Sequence, residues 1–152
     1  MTTVRQVLQN KGNQVWSISP QASVYQALEL MASKDIGAVL VVSESGQLAG
    51  IFSERDYARK VALKGRASRD VSVGELMTAK VYVVPPDTTL EECLQIMTDR
   101  KIRHLPGVEE GGLVGVITIG DVGKSLISQH EFTIKELEKY ITGAAYPGES
   151  GG

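Results

Sequence analysis

With 152 residues, the chain is long enough for one domain with its own core but too short for a catalytic domain plus an independent regulatory one. A formal net charge of −2 and an isoelectric point near 5.7 argue against nucleic acid or an anionic membrane as a partner. A single cysteine, Cys93, excludes an internal disulfide, and the lack of a membrane-length apolar run or a signal-peptide core predicts a cytoplasmic protein.

Two helices are predicted near the start of the chain, with a strand between them. Thr3 and Gln6 have the spacing of a capping box and predict a short leading helix. Ser23 and Gln26 have the same spacing before a second helix, in which apolar residues recur at i, i+3, i+4 and i+7. A strand that begins near Val15 lies between these two helices.

Two strands and another helix are predicted next. The continuous apolar run at 38–42 has the length and β-branching of a buried strand. A turn at 45–46 separates it from a second strand at 48–52. A further helix begins near Asp56 and ends by Gly65, so the unit reads strand, helix, strand, strand, helix.

The second half of the chain repeats this order. Residues 15–46 superimpose on residues 81–112 at a constant offset of 66, which becomes 65 after a one-residue deletion. Ser72 with Glu75 and Thr89 with Glu92 again have capping-box spacing. Because a unit of about 60 residues buries little surface alone, the two units are expected to pack around a pseudo-twofold axis.

The repeat divides the chain into three predicted segments. They are a first repeat with its N-terminal helix at 1–68, a second repeat at 69–130, and a C-terminal amphipathic helix with a flexible tail at 131–152. Thr133 and Glu136 cap the last helix, whose stripe is Ile134, Leu137 and Ile141. This stripe either covers its own module or docks on a second subunit.

The stretch GVITIGDVGKS at 115–125 ends like a phosphate-binding loop. That loop requires a glycine where Thr118 stands. The register that starts at Gly115 instead puts Asp121 in the place of the lysine, where a carboxylate would repel phosphate. The stretch is therefore not such a loop, and its twin, GIFSERD at 50–56, calls for a common explanation.

GIFSERD and GVITIGD resemble the motif of cystathionine-β-synthase (CBS) domains, which reads glycine, two hydrophobic residues, Ser or Thr, two variable residues and Asp. IRHLP at 102–106 and ELMT at 75–78 are also similar to that family. The resemblance covers about residues 1–130. It implies the α/β (α+β) class, with two tandem β-α-β-β-α repeats packed with pseudo-twofold symmetry as a Bateman module without an attached enzyme.

The resemblance gives the motif residues a task in ligand binding. Asp56 and Asp121 would accept hydrogen bonds from the two hydroxyls of a ribose, and Ser53 and Thr118 would donate to ribose or to the α-phosphate. The alternative is that Ser53 to Asp56 and Thr118 to Asp121 are ordinary helix caps.

Positive charge for a phosphate is expected from Arg103, with His104 as a further donor. Gly37 and Ala38 occupy the equivalent positions of the first repeat, so the two clefts are unequal. Arg55 compensates at the first site, since its counterpart Gly120 carries no charge. The base is expected to meet backbone near Ser17 and Val83. The candidate ligand-binding residues are Ser17, Gly37, Ala38, Ser53, Arg55, Asp56, Val83, Arg103, His104, Thr118, Gly120 and Asp121.

Other chemistry is not predicted. Trp16 and its counterpart Tyr82 are expected to pack in the core or between the repeats rather than to stack on a base. Cys93 lies on a buried helix stripe and is interpreted as a structural thiol. No metal site and no catalytic residues are predicted, because the histidines and Cys93 lack ligand spacing and no nucleophile elbow is present.

The sequence thus predicts a regulatory module that binds AMP, ADP, ATP or NAD(H) and senses that ligand. S-adenosylmethionine would leave Arg103 without a phosphate to meet. With no output domain in the chain, the signal is expected to pass to an unknown partner in trans, from a homodimer. The alternatives are a dimerisation or interaction scaffold that binds no ligand and, less favoured, an enzyme that processes nucleotides.

Overall fold

The computed structural model describes residues 1–12 and 14–128. In chain order the elements are α1 (Val4–Lys11), β1 (Ser17–Ile18), α2 (Val24–Lys34), β2 (Ala38–Val42), β3 (Leu48–Ser53), α3 (Glu54–Tyr57) with a following π-helical turn (Ala58–Ala62), α4 (Val73–Leu76), α5 (Leu90–Arg100), β4 (His104–Glu109), β5 (Gly112–Thr118) and α6 (residues 119–128). The helix predicted from Thr133 and Glu136 lies outside the described residues.

The strands form two sheets, one for each repeat. In the first, β1 pairs with β2 in parallel and β2 pairs with β3 antiparallel, as the order strand, helix, strand, strand predicts. In the second, β4 and β5 form an antiparallel pair. The predicted opening strand of the second repeat is reduced to one parallel bridge between Val84 and Gly107.

A proline explains this difference between the two sheets. In the first repeat the amide of Leu40 donates to the carbonyl of Trp16, with N and O 3.1 Å apart. The residue at the position of Leu40 in the second repeat is Pro106, which has no N–H to donate. The ladder therefore loses the bond that would lengthen the strand.

The predicted capping residues cap their helices, although only some of them form a complete capping box. The hydroxyls of Thr3 and Ser23 accept from the backbone three residues later, and Gln6 and Gln26 accept from the cap backbone. Thr89 and Ser72 also cap their helices. Their acidic partners bond elsewhere, Glu92 to the Thr89 hydroxyl and Glu75 to Arg66.

Each repeat has its own apolar core, and each core includes the leading helix of the other repeat. The first core contains Val24, Ala27, Met31, Val39, Val41, Phe52 and Val61, together with Val71 and Val73 from the leading segment of the second repeat. The second contains Val84, Leu90, Cys93, Met97, Leu105, Ile117 and Val122, together with Val4, Val7 and Leu8 of α1. The two leading helices are therefore exchanged between the repeats.

Backbone hydrogen bonds and two motif glycines hold the exchanged segments. The amide of Val4 donates to the carbonyl of Thr88, with N and O 2.9 Å apart, and Val24 donates likewise to Val71, at 2.8 Å. A Cβ at Gly115 would lie 2.6 Å from a methyl carbon of Leu8. At Gly50 it would lie 2.7 Å from both the sulfur of Met77 and the carbonyl oxygen of Thr78. These glycines allow a close approach, and the segment that approaches is the exchanged one.

Candidate ligand-binding clefts

Two cavities lie between the repeats and are related by the internal repeat. The larger, about 660 Å³, is here called the basic cleft, and its lining residues are 37, 51, 53–56, 59, 60, 78, 80–82, 101–104, 118 and 119. The smaller, about 470 Å³, is called the Trp16 cleft and is lined by residues 11, 12, 14–16, 35–40, 51, 104, 116 and 118. Residues of both repeats line each cleft.

Most of the residues predicted from the sequence line these clefts. The basic cleft contains Gly37, Ser53, Arg55, Asp56, Arg103, His104 and Thr118. The Trp16 cleft contains Gly37, Ala38, His104 and Thr118. Four of the predicted residues line neither cavity: Ser17, Val83, Gly120 and Asp121. Val83 is 46% exposed to solvent. Asp121 nevertheless contacts Lys11, a residue of the Trp16 cleft.

The carboxylate of Asp56 is held on all sides by the protein. Its Oδ2 accepts from the amide and the hydroxyl of Ser53, both at 3.0 Å. Its Oδ1 accepts from the hydroxyl of Thr78 at 3.2 Å and pairs with the ammonium of Lys60 at 3.1 Å. A carboxylate has about four acceptor positions. A ribose hydroxyl therefore reaches Asp56 only where Thr78 or Lys60 gives way.

The carboxylate of Asp121 has fewer hydrogen-bond and ion-pair partners than that of Asp56. Its Oδ2 accepts from the amide of Thr118 at 2.9 Å and from the ammonium of Lys11 at 2.6 Å. The amide of Asp121 in turn donates to the Thr118 hydroxyl at 3.1 Å. Ser53 and Thr118 thus cap the helices that follow, and the aspartate three residues later completes each cap, as the alternative hypothesis predicts. Capping also fixes each carboxylate near a cleft, so the two roles are compatible.

The lining of the basic cleft is rich in cations from both repeats. Its Lys and Arg residues are Arg55, Arg59, Lys60, Lys80, Lys101 and Arg103, against the carboxylates of Glu54 and Asp56. Within residues 1–12 and 14–128, Arg59, Lys80 and Arg103 form no ion pair with a carboxylate. Arg55 donates to the carbonyl of Lys101 at 3.2 Å, which joins the two repeats across the cleft. The cleft therefore has cationic side chains to offer an anion.

Four of these cations were missed at the sequence level: Arg59, Lys60, Lys80 and Lys101. The signal for Lys80 and Lys101 is a difference between the repeats. Gln14 precedes Val15 where Lys80 precedes Val81, and Asp35 stands where the offset of 66 places Lys101. Asp35 and Lys101 both end helices in the left-handed conformation, with φ of 54° and 56°. The same backbone turn thus gives one cleft a carboxylate and the other an ammonium.

His104 lines both clefts and is largely shielded from solvent. Burial lowers the pKa of its imidazole below the ordinary value of 6.5, and the nearby charges of Lys11 and Arg103 lower it further, while Asp121 opposes them. The ring is consequently neutral at pH 7, with one N–H to donate and one nitrogen that accepts.

The two aromatic rings take equivalent places. Trp16 lines the Trp16 cleft and lies under the ammonium of Lys34, 4.3 Å from the ring centre. Tyr82 lines the basic cleft, lies 4.8 Å from the guanidinium carbon of Arg100, and packs against the second core. Tyr82 has the packing role expected of it, and both rings also form cleft walls.

Cys93 is fully buried in the second core. Burial, with smaller contributions from Glu92 and Glu91, raises the pKa of its thiol to about 11. The thiolate that reacts with oxidants and metals is therefore disfavoured, in agreement with a structural thiol.

In the part of the chain that the structure describes, no helix is long and apolar enough to cross a membrane.

Comparison with known proteins gives a family match over both repeats. The model of the CBS domain matches residues 4–63 and 73–128. A mitochondrial CBS domain-containing protein of Arabidopsis thaliana is 36% identical over 151 residues, which cover 93% of this chain and 73% of that protein. A solved structure of a protein with CBS domains from Burkholderia ambifaria is 46% identical, with a TM-score of 0.80, and covers 84% of this chain and 95% of its own.

A more distant relative contains metal. Hypoxic response protein 1 of Mycobacterium tuberculosis is 29% identical over 126 residues, which cover 83% of this chain and 86% of that protein. A crystal structure of hypoxic response protein I, with a TM-score of 0.69 and 26% identity over 82% of this chain and 99% of its own, holds two coordinated zinc ions. Among the described residues of the present chain, no group of three or more His, Cys, Asp or Glu side chains is placed to hold a metal.

Proposed function

Because the chain belongs to the CBS domain family, we propose that it binds an adenosine-containing nucleotide in the basic cleft and regulates another protein in response. The predicted resemblance and the α+β fold of two CBS repeats are confirmed. CBS domain pairs are commonly regulatory and ligand-binding, and no enzyme family is indicated by the matches. Which ligand binds, which residues bind it and that a partner protein is regulated are our proposals.

The observation that carries the proposal is the convergence of cations beside the Ser53–Asp56 motif. Arg103 and Lys80 come from the second repeat and Arg59 from the first, and all three line the same cavity. Placing unpaired cations around one cavity favours a ligand with several negative charges. A ligand of this kind neutralises them together, so binding also holds the two repeats against each other.

The charge of the cleft ranks the candidate ligands. ADP, ATP and NAD(H) carry two or more phosphates and would meet more of the cations than AMP does. In the proposed arrangement the phosphates lie toward Arg103 and Lys80, and the ribose meets the Asp56 motif. S-adenosylmethionine is disfavoured in this cleft, because its sulfonium would be repelled by the surrounding cations.

Ligand binding at Asp56 provides a route for regulation. Lys60 donates to the carbonyl of Leu76 at 3.0 Å as well as pairing with Asp56, and Thr78 follows α4, the exchanged leading helix. A ribose that takes over the acceptor positions of Asp56 would replace these direct ties with contacts made through the ligand. The ligand shifts the equilibrium only as far as it binds one arrangement better than the other. We propose that a homodimer passes this change to a partner protein.

The segments predicted at 1–68, 69–130 and 131–152 and a cytoplasmic location stay predictions. The exchange of α1 and α4 shows that the sequence repeats and the packed units differ in their membership, since each core takes its leading helix from the other repeat.

The proposal is tested by isothermal titration of AMP, ADP, ATP, NAD⁺ and S-adenosylmethionine into protein shown to carry no copurified nucleotide. ADP or ATP is expected to bind more tightly than AMP, with one ligand per chain in the basic cleft. The absence of heat with every adenine nucleotide would contradict the proposal.

One observation favours the alternative of a scaffold that binds no ligand. The acceptor positions of Asp56 are filled by Ser53, Thr78 and Lys60, so this carboxylate serves the fold without any ligand. A scaffold of this kind would show no thermal shift with nucleotides, whereas saturation at a hundred times Kd stabilises a protein by about 2.7 kcal/mol.

A further inference from the structure

In each half of the molecule, two helices cover the side of the sheet that faces away from the clefts. In β3, Ile51 lines both clefts, whereas its neighbour Phe52 is buried in the first core with α2 and the π-helical turn. Because successive residues of a strand point to opposite sides, these helices lie on the outer side of the sheet. In the second repeat, α5 and α6 share a core with Leu105 and Ile117. The exposed sides of the two helix pairs are called the first helix surface (residues 24–34 and 54–64) and the second helix surface (residues 90–100 and 119–128).

Both helix surfaces expose large apolar side chains. Leu63 is 79% exposed on the first, and Leu94 and Ile127 are 37% and 66% exposed on the second. One exposed leucine on its own is ordinary. Among the described residues, however, three of the five exposed large apolar side chains lie on this one layer. Their concentration there favours a partner that covers both helix surfaces.

The two helix surfaces differ in charge. Residues 24–34 and 54–64 contain five Lys or Arg against three Asp or Glu, a net charge of +2. Their equivalents by the offsets of 66 and 65, residues 90–100 and 119–129, contain two against four, a net charge of −2. The same pair of helices is therefore basic in one repeat and acidic in the other, and this difference favours contact between unlike surfaces.

Lys64 and Glu91 illustrate the difference. Both are exposed, and neither forms an ion pair within residues 1–12 and 14–128. Lys64 lies outside the lining of both clefts, unlike the other cations of 54–64. The repeat places Glu91 on Tyr25, whose ring centre lies 3.7 Å from the guanidinium carbon of Arg69. Equivalent places on α5 and α2 thus carry opposite charges.

We propose that two copies of this chain associate head to tail, with the first helix surface of each copy covering the second helix surface of the other. A twofold axis makes this contact occur twice in the dimer. A head-to-head dimer would instead bring basic onto basic and acidic onto acidic, which is repulsive at both contacts. The dimer itself rests on the proposed function, whereas its orientation follows from the charges.

One element connects this contact with the basic cleft. Residues 54–64 supply Asp56 and Arg59 to the cleft and Leu63 and Lys64 to the first helix surface. A ligand that contacts α3 therefore acts on the element that meets the second copy.

Cross-linking between single cysteines tests the orientation. Leu63→Cys and Leu94→Cys place one thiol on each helix surface, and the native Cys93 is fully buried, so the wild-type chain is the control for background reaction. With a short bismaleimide, neither variant is expected to form covalent dimers by itself, whereas an equimolar mixture of the two forms them. Circular dichroism verifies folding, and Thr98→Cys, one turn further along α5, replaces Leu94→Cys should that variant fail to fold.

Covalent dimers of Leu63→Cys alone would overturn the proposal. A wild-type chain that sediments as a monomer would overturn it too, as would a dimer whose mixed variants do not cross-link. Titration with ADP separates these results from the proposed function. A head-to-tail dimer that binds no ADP would contradict the proposed function and leave the orientation standing, and a head-to-head dimer that binds ADP would do the reverse.

Charge reversal gives a second readout, measured by sedimentation without nucleotide at low salt. Lys64→Glu and Glu91→Lys are each expected to weaken the dimer roughly tenfold, since each change acts at both contacts. Glu44→Lys makes the same change of net charge as Glu91→Lys, in the turn between β2 and β3, and is expected to leave the dimer unchanged. Unchanged or tighter association of the two reversed variants would indicate another orientation and overturn the proposal.

Discussion

The hydroxyl of Thr78 donates to Oδ1 of Asp56 at 3.2 Å, across 22 residues of sequence. The backbone of Thr78 meanwhile exchanges two hydrogen bonds with Ile51, with N and O 2.8 and 3.0 Å apart. The motif of the first repeat is thereby joined to the segment that leads into the second. This contact connects the stability of the fold with the availability of Asp56 to a ligand.

Thr78→Val is expected to separate these two properties. Valine keeps the shape and the backbone bonds of Thr78 but removes the hydroxyl, so unfolding should become easier by about 1 kcal/mol. The same change leaves one acceptor position of Asp56 free, and ADP affinity is expected to stay constant or rise. Urea denaturation and calorimetry measure the two effects. If Thr78→Val instead binds ADP more weakly while it remains folded, the Thr78 hydroxyl itself binds the ligand.

Arg103→Met is expected to weaken ADP binding roughly tenfold to a hundredfold, because it removes one charge-assisted contact with phosphate. The loss should shrink as salt is raised, since the interaction is exposed to screening. Arg66→Met is the matched control, because Arg66 pairs with Glu75 outside the lining of both clefts. Equal affinities of the two variants, measured by calorimetry at low salt, would remove Arg103 from the site.

Substitution of the two motif glycines tests the exchange of the leading helices. Gly50→Ala places a methyl group 2.7 Å from the backbone oxygen of Thr78, and Gly115→Ala places one 2.6 Å from the Leu8 side chain. Overpacking of this kind costs about 1–3 kcal/mol. Both changes should destabilise the protein, Gly50→Ala because a backbone atom yields less readily than a side chain, and Gly115→Ala because φ at this residue is 159°, which an alanine rarely adopts.

A double-mutant cycle identifies the partner of Gly115. Leu8→Ala alone removes buried apolar contacts and destabilises the protein. If α1 packs on the second repeat, the double variant Leu8→Ala with Gly115→Ala should lose less stability than the sum of the single variants. Strict additivity in urea denaturation would mean that Leu8 and Gly115 do not touch.

Local structure was predictable from the sequence because local residues determine it. The caps at Ser23 and Thr89 and the strand at 38–42 depend on neighbours within a few positions. Which core receives α1 was not predictable, because Val4 and Val7 present an apolar pattern much like that of Val73 and Leu76. Either helix fits either core by pattern, and only the packed structure distinguishes them.

The candidate site was predictable in the placement of its motif but not in the placement of its charges. Asp56 and Asp121 stand at equivalent positions, yet one pairs with Lys60 and the other with Lys11. The first pair is within one helical turn, whereas the second joins residues 110 apart and depends on the exchange of α1. A pairwise comparison of the repeats identifies Lys80 and Lys101 as candidates but does not show where their side chains lie.

The partly buried imidazole of His104 predicts a loss of stability in mild acid. Its pKa is lowered in the folded protein, chiefly by burial and then by Lys11 and Arg103, with Asp121 opposing them. The unfolded chain, with an ordinary histidine pKa of 6.5, therefore takes up a proton at a higher pH than the folded protein does. The free energy of unfolding should be fully retained above this pH and fall as the pH drops below it, until the folded form is protonated as well.

Urea denaturation between pH 7.5 and 5.5 measures this slope, and His104→Gln should reduce it because the side chain no longer titrates. His130→Gln is the control, since it removes the other histidine of the sequence and should leave the contribution of His104 in place. NMR titration of the two histidines assigns the pKa values directly. A His104 pKa at or above 6.5 would mean that the ring is better solvated, or closer to the Asp121 carboxylate, than its burial beside Lys11 and Arg103 implies.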